Sequence, residues 1–359
     1  MEKYLSRLDD SYLVWRVQHF CGIRKTNPKS ASPKQEPRPE KAQFRIKFKL
    51  LYYLCVLASF AGSEEFYAIF FPFWWWNMDM AVARQSVLLV ALSMYIGQSL
   101  KDVLQASRPI SPPVVRLESF YLMEYGMPST HTLVSLAIPT ATLLFQQMHC
   151  DVVSRSIVVF LVVWPAFMAF SRIYLGVHTV LQVLAGLAVG LLAVVLGVPL
   201  THMLDTWFMT TWNGPLLLSL FLFVASVFYP TKDGTYTHNW ADTVALVASG
   251  AGCIAGGKLS LDAAIVFQPI GCPLPGWVAH PYWPHILLRT GLGYLILFAC
   301  RWLLKVAIYS VMELVFGSEK DLEDSYRHLQ EIVPKYVVYW LTGFCTTFLV
   351  PFFFYSARL

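Results

Sequence analysis

Charge is scarce in this chain: Asp, Glu, Lys and Arg make up 14% of its 359 residues, while 56% are hydrophobic. That excludes an ordinary soluble protein, whose surface needs more charge, and the mean hydropathy of +0.52 agrees. Cysteine is equally uninformative as a framework. The seven residues, Cys21, Cys55, Cys150, Cys253, Cys272, Cys300 and Cys345, include no C-x-x-C pair, and most lie inside apolar runs. A disulfide scaffold and a cysteine-ligated zinc site are thereby excluded, and the thiols read as small core hydrophobes. No internal repeat is visible, and no carboxylate cluster is present to hold a metal ion. The first apolar run starts near Phe48, beyond any cleavable signal peptide, so it is expected to act as an uncleaved anchor.

What the chain has in abundance is apolar runs. A helix needs about 17 to 25 apolar residues to cross a bilayer, and nine candidates are centred near residues 58, 94, 139, 164, 189, 221, 251, 297 and 345. The expected fold class is all-α, a polytopic membrane bundle of about nine transmembrane helices. Three regions follow: a basic N-terminal segment (1–46), a helical core carrying the polar motifs (47–200), and further helices and loops packing on it (201–359). Residues 27–49, "NPKSASPKQEPRPEKAQFRIKFK", have the composition of a disordered basic linker along an anionic membrane face. Ahead of it, Tyr4, Leu5, Leu8, Tyr12 and Leu13 recur at near-helical spacing and suggest a short interfacial helix. Residues 266–285, with five prolines among aromatics, suit a headgroup-level loop, and residues 317–335 read as a charged surface helix ending before Pro334.

A charge at bilayer depth costs about 2.5 to 3.5 kcal/mol on insertion scales, so polar clusters at the ends of apolar runs are the informative residues. The first is "KDVLQASRP", residues 101–109. If helical up to Pro109, it places Lys101 and Arg108 on one face, roughly 10 Å apart along the axis. The second is "MPSTHT", residues 127–132, a helix start whose backbone donors at Ser129, Thr130 and His131 form a natural anion site, with an imidazole in the first turn. The third is "SRIYLGVHTVLQ", residues 171–182, where a helix ends at Ser171 and Arg172, Gly176 permits a bend, and the next helix begins near His178. Counting spans brings all three clusters to one side of the membrane. Three cations with oriented amides describe a pocket for a tetrahedral dianion such as phosphate.

The motifs "K-x6-R-P", "P-S-x-H" and "S-R-x5-H", in this order at helix ends, resemble the lipid phosphatase and haloperoxidase superfamily, the type 2 phosphatidic acid phosphatases. The resemblance covers residues 44–200, making 47–200 the catalytic core. "RPISPPVVRLE", "EYGMPSTH" and, more loosely, "YPTKDGTYTHNWADT" look like the sphingosine-1-phosphate phosphatase branch of the endoplasmic reticulum. The resemblance implies His178 as nucleophile through a phosphohistidine and His131 as general acid and base. It further implies Lys101, Arg108, Ser129, Thr130, Ser171 and Arg172 as phosphate ligands, with no metal and no cofactor. The implied partners are a lipid phosphate and membrane lipids, with no nucleic acid.

One position departs from the family. Four residues after the nucleophilic histidine the usual aspartate is Gln182, whose carbonyl can orient the imidazole but cannot stabilise its cation. Replacing aspartate by an amide in a hydrolase triad lowers the rate about 10⁴-fold, although the glucose-6-phosphatase branch resembles this chain in having glutamine there. A glucose-6-phosphatase-like enzyme, a broader lipid phosphate phosphatase, and a catalytically weakened transporter or scaffold are therefore alternatives; a vanadate-dependent peroxidase is disfavoured by the membrane setting. Glu118, Glu124 and Asp102 are candidate partners for a substrate ammonium, and the Glu64–Glu65 pair suggests a break facing a polar cavity. The positive-inside rule makes the N-terminal side cytosolic and the span count puts the site on that side. The resemblance implies a lumenal site, and a broken span near Glu64 would uncouple the terminus from it.

Overall fold

The computed structural model describes residues 7–25, 44–118, 124–149, 155–232, 234–265, 283–316 and 324–358. In chain order these form α1 (Ser11–Phe20), β1 (Ile23–Lys25), β2 (Phe44–Ile46), α2 (Lys49–Ala61), α3 (Glu64–Asn77), α4 (Met80–Leu104) and α5 (Thr130–His149). There follow α6 (Arg155–Tyr174), α7 (Val180–Leu192), α8 (Val198–Thr210), α9 (Gly214–Val227), α10 (His238–Asp262), α11 (Trp283–Phe316), α12 (Asp324–Phe344) and α13 (Val350–Ser356). Wider π-helical turns, Ala193–Gly197 and Cys345–Leu349, join α7 to α8 and α12 to α13.

All nine apolar centres fall on helical segments, but nine crossings are not confirmed. Six helical stretches are long and apolar enough to cross a membrane, or seven if α2 and α3, bent by 63°, count as one broken span. α9 has only 14 residues, and α5 is diluted by its threonines and glutamines. The break lies at Gly62 and Ser63, where the Ser63 hydroxyl caps α3 and Glu64 and Glu65 fill its first turn.

Helix starts follow from capping chemistry. Asp79 accepts from the Ala81 and Val82 amides and starts α4, and Thr237 starts α10 in the same way. At bilayer depth α10 is held against α12 by glycine: a Cβ on Gly252 would stand 1.9 Å from the Trp340 carbonyl oxygen, and one on Gly343 2.2 Å from that of Ser249. A buried bidentate pair, Arg84 to Asp205 at 2.5 and 2.9 Å, ties α4 to α8.

Three expected boundaries move. α4 stops at Leu104, with Gln105 in the left-handed region, instead of running to Pro109. Arg108 therefore lies in a loop rather than on the Lys101 face of a helix. α12 passes through Pro334 instead of ending before it, as membrane helices tolerate when neighbours satisfy the freed carbonyl. The C-terminal part of the expected linker is ordered, since β2 pairs antiparallel with β1; residues 26–43, the loop at 266–282 and residues 317–323 lie outside the described residues.

A helix lies near the expected interfacial one, but at Ser11–Phe20 and with its buried face on the protein; Tyr4 and Leu5 lie outside the described residues. Val14 and Gln18 of α1 are buried, and the Gln18 amide donates to the Val115 and Tyr174 carbonyls while accepting from the Val115 N–H. Beside it the chain turns sharply at Gly176, whose φ of +74° favours glycine and where a Cβ would also meet the Val115 oxygen at 2.4 Å. The Thr179 hydroxyl, the cap of α7, donates to Asp9 at 2.6 Å. The N-terminal helix thus touches the turn that carries His178, so the break near Glu64 does not uncouple them.

Candidate active site

Five places in the chain converge. Lys101 comes from the last turn of α4, Arg108 from the loop after it, Ser129, Thr130 and His131 from the start of α5, Arg172 from the last turn of α6, and His178 from the turn before α7. All seven side chains are buried. Charges buried this deeply need partners, and the structure supplies them. Lys101 Nζ donates to Glu124 Oε2 at 2.8 Å, and Arg108 Nη2 reaches the same oxygen at 3.4 Å while its Nε donates to the Glu124 backbone carbonyl at 2.9 Å. Arg172 Nη1 donates to Glu118 Oε2 at 3.1 Å and to the Ser59 hydroxyl. Glu118 and Glu124 are therefore counter-charges of the cations rather than open partners for an amine. Asp102 is not open either: it accepts from Thr237 at 2.5 Å and Asn239 at 2.7 Å, tying α4 to the start of α10. With both histidines neutral, three cations against two carboxylates leave the cluster one positive charge in excess.

The His178 ring is fixed at both nitrogens. Nδ1 lies 2.8 Å from the Gly126 carbonyl oxygen and 3.2 Å from Gln182 Oε1. Oε1 also accepts from the Thr179 N–H at 3.2 Å, while Gln182 Nε2 donates to the Ser107 carbonyl at 2.7 Å, which orients the amide. Nδ1 thus faces two acceptors and carries the proton. Nε2 is left with its lone pair, 3.4 Å from Arg108 Nη1. The strongest orienting group is the Gly126 backbone, with Gln182 behind it. A Cβ on Gly126 would stand 2.6 Å from Gln182 Nε2, so only glycine lets the two pack flat.

Electrostatics favour the neutral imidazole. Burial first, and then the positive charges of Arg108, Arg172 and Lys101, hold the His178 imidazole well below the usual histidine range. Burial alone would raise Glu124, but Lys101 and Arg108 outweigh it and hold the carboxyl below its usual range.

The remaining expected ligands divide. The Ser129 N–H is not among the donors facing an anion, because it donates to the Gln182 carbonyl at 3.1 Å. Its hydroxyl is buried with no hydrogen-bond partner among the described residues and is the group this turn offers a ligand. Thr130 follows it, buried. The His131 ring hydrogen-bonds the Ser59 backbone and packs over Gly62, where a Cβ would stand 2.9 Å from Cδ2. The Ser171 hydroxyl is turned away, donating to Met168 O at 2.7 Å within its own helix. Among the described residues no three His, Cys, Asp or Glu side chains gather as a metal site. Sequence reasoning missed Ser59, Gly126 and the Ser107 carbonyl. Gly126 stood within the quoted "EYGMPSTH", but nothing in its spacing marks a carbonyl that will meet a histidine.

The arrangement suits binding a phosphate and attacking it with an imidazole nitrogen. Comparison with known proteins points to a phosphatase family. The PAP2 superfamily pattern matches residues 83–205, which hold all of the expected site residues. Sphingosine-1-phosphate phosphatase 1 of Rattus norvegicus is 34% identical over 312 residues, 85% of this chain and 72% of that protein. Sphingosine-1-phosphate phosphatase 2 of Mus musculus is 33% identical over 360 residues, 98% of each. A dihydrosphingosine 1-phosphate phosphatase of Saccharomyces cerevisiae is 30% identical over 171 residues, 45% of this chain and 40% of that one. No solved structure matches.

Proposed function

The chain belongs to the sphingosine-1-phosphate phosphatase branch of the PAP2 superfamily, and from that premise we propose that it hydrolyses long-chain base phosphates, such as sphingosine 1-phosphate and its dihydro and phyto forms. His178 Nε2 attacks phosphorus, the P–O bond to the lipid breaks, and His131, which takes up a proton when the phosphate dianion binds, gives that proton to the departing alkoxide. Water, deprotonated by His131, then attacks the phosphohistidine and releases inorganic phosphate and free His178. Lys101, Arg108, Arg172 and the Ser129 hydroxyl hold the phosphoryl oxygens, Thr130 lines the same turn, and the catalytic gain comes from positioning and charge. No metal takes part in this scheme. Ser171 keeps its place through packing, its hydroxyl being spent on Met168. The observation that carries the reading is the His178 ring, with Nδ1 bonded to a carbonyl and Nε2 turned to Arg108 among three buried cations.

The proposed location is the endoplasmic reticulum membrane with the site facing the lumen; α1, touching that site, shares its side.

Phosphate release by the purified protein from a long-chain base phosphate, in the presence of a chelator, tests the proposal. Turnover that vanadate inhibits, and that falls at least about 10³-fold in His178→Ala, is expected. Vanadate binding without turnover would make the protein a scaffold, and turnover of a soluble sugar phosphate alone would move it to the glucose-6-phosphatase type.

A further inference from the structure

A cavity of about 380 Å³ lies between α3, α4, α10, α11 and α12, within the range of small-molecule sites. Most of its wall is made by helices beyond the 83–205 segment shared across the superfamily, so it can distinguish one branch from another. Two helices run its length. α3 contributes Glu64, Ala68 and Trp75, and α10 contributes Asp242, Ala245 and Cys253. Each stripe spans eleven residues, about 16 Å of helix. Both carry their carboxylate toward the N-terminal end, and the wall between is predominantly apolar.

The acidic end adjoins the phosphate cluster. Two residues before Glu64 the chain packs on the His131 ring through Gly62. Glu64 Oε1 accepts from Gln98 Nε2 at 3.4 Å, and Gln98 precedes Lys101 on α4 by three residues, one helical turn, about 4.5 Å. Asp242 is paired with Lys335 at 3.9 Å, whereas Glu64 makes no ion pair among the described residues. Gln98 is 3% exposed, yet its Oε1 has no hydrogen-bond partner there. A buried acceptor without a donor costs about 1 to 3 kcal/mol, and beside a carboxylate it forms half of a cradle for a cation with several N–H groups. The order along α4 is then phosphate at Lys101 and ammonium one turn further in, the spacing of a phosphate and an amine on neighbouring carbons. Beyond them lies the apolar length of the cavity.

We propose that this cavity takes the hydrocarbon chain of a long-chain base phosphate, with its ammonium on Glu64 and Gln98 and its phosphate at Lys101, Arg108 and His178. This rests on the lipid phosphatase reading and adds to it a binding site for the chain and the amine. Glu64 and Gln98 are specificity residues, and the apolar stripes set chain length.

Photolabelling of the wild-type protein tests the site without any variant. A long-chain base phosphate bearing a diazirine at mid-chain is expected to give adducts on the cavity wall, chiefly at residues 64–75 or 242–253; adducts confined to residues outside that wall would overturn the proposal. Selectivity ratios test its two halves. Glu64→Gln is expected to lower the ratio of kcat/KM for the amino lipid over its 2-desamino analogue at least tenfold. Ala245→Phe, or Ala68→Phe on the facing helix should the first not fold, is expected to lower the ratio for long over short chains by a similar factor. Unchanged ratios in a wild-type enzyme that turns over the lipid would overturn the cavity assignment and leave the phosphatase standing; absence of any turnover by the wild type would remove both.

Discussion

The Gln182 amide is held from both sides, its oxygen accepting from Thr179 N–H beside His178 Nδ1 and its nitrogen donating to the Ser107 carbonyl. Aspartate, the family's usual residue, is shorter by one methylene and has no donor. Gln182→Asp would take this donor from the Ser107 carbonyl, an ordinary hydrogen-bond loss of about 0.5 to 1.5 kcal/mol. It would also place a negative charge near His178 and raise its pKa toward the ordinary range. The sign follows from the proposed role of His178 as nucleophile: that role requires the neutral ring, so activity is expected to persist above the folded pKa and to be lost as pH falls through it. In the wild type that pKa is depressed, so the acid limb of kcat/KM is expected below the usual histidine range. The variant is expected to show a lower neutral-pH rate and an acid limb displaced upward; a wild-type rate with an unmoved limb would mean that Gln182 neither orients nor tunes His178. Lys101, Arg108, Arg172, His131 and His178 were legible in the sequence because charges and imidazoles beside apolar runs are rare. The Gly126 and Ser107 carbonyls were not, because every residue carries one.

At the scale of helices, the site depends on ends, and ends are where pattern reading failed. Apolar periodicity located α4, but its C-terminus is set by Gln105 adopting a left-handed conformation four residues before Pro109. Arg108 reaches Glu124 from the loop that follows. α12 passed the proline expected to end it, since a proline is compatible with a bundled helix whose neighbours supply partners. α1 was anticipated as interfacial, yet the buried Gln18 makes it a brace between the Val115 loop and the α6–α7 turn. Just ahead of α1, Asp9 accepts from the Thr179 hydroxyl beside His178. The N-terminus and the site must occupy the same compartment, whatever the number of crossings between them. In sealed microsomes a tag on the N-terminus is expected to be protected from protease, as a lumenal site requires; an accessible tag would place site and terminus together in the cytosol.

Across the whole molecule, composition made a helical membrane protein legible at once, whereas the number of crossings was not. Apolar length alone cannot separate a straight span from a pair bent by 63° or from a 14-residue helix packed among others. Nor could the sequence tell which carboxylates serve the cations and which face a cavity. Glu118, Glu124 and Asp102 were consumed by internal partners, and Glu64, from a break in the first apolar region, remained beside the cavity. The bundle gathers residues from five places in the chain around one imidazole nitrogen, and the most direct test addresses that atom. Protein mixed with long-chain base phosphate, quenched in alkali during turnover and digested, is analysed by mass spectrometry for a phosphorylated histidine. An acid-labile phosphoryl group on His178, absent from His178→Ala, is the expected result. Turnover with the phosphoryl group on His131, or retained in the His178→Ala protein, would contradict it.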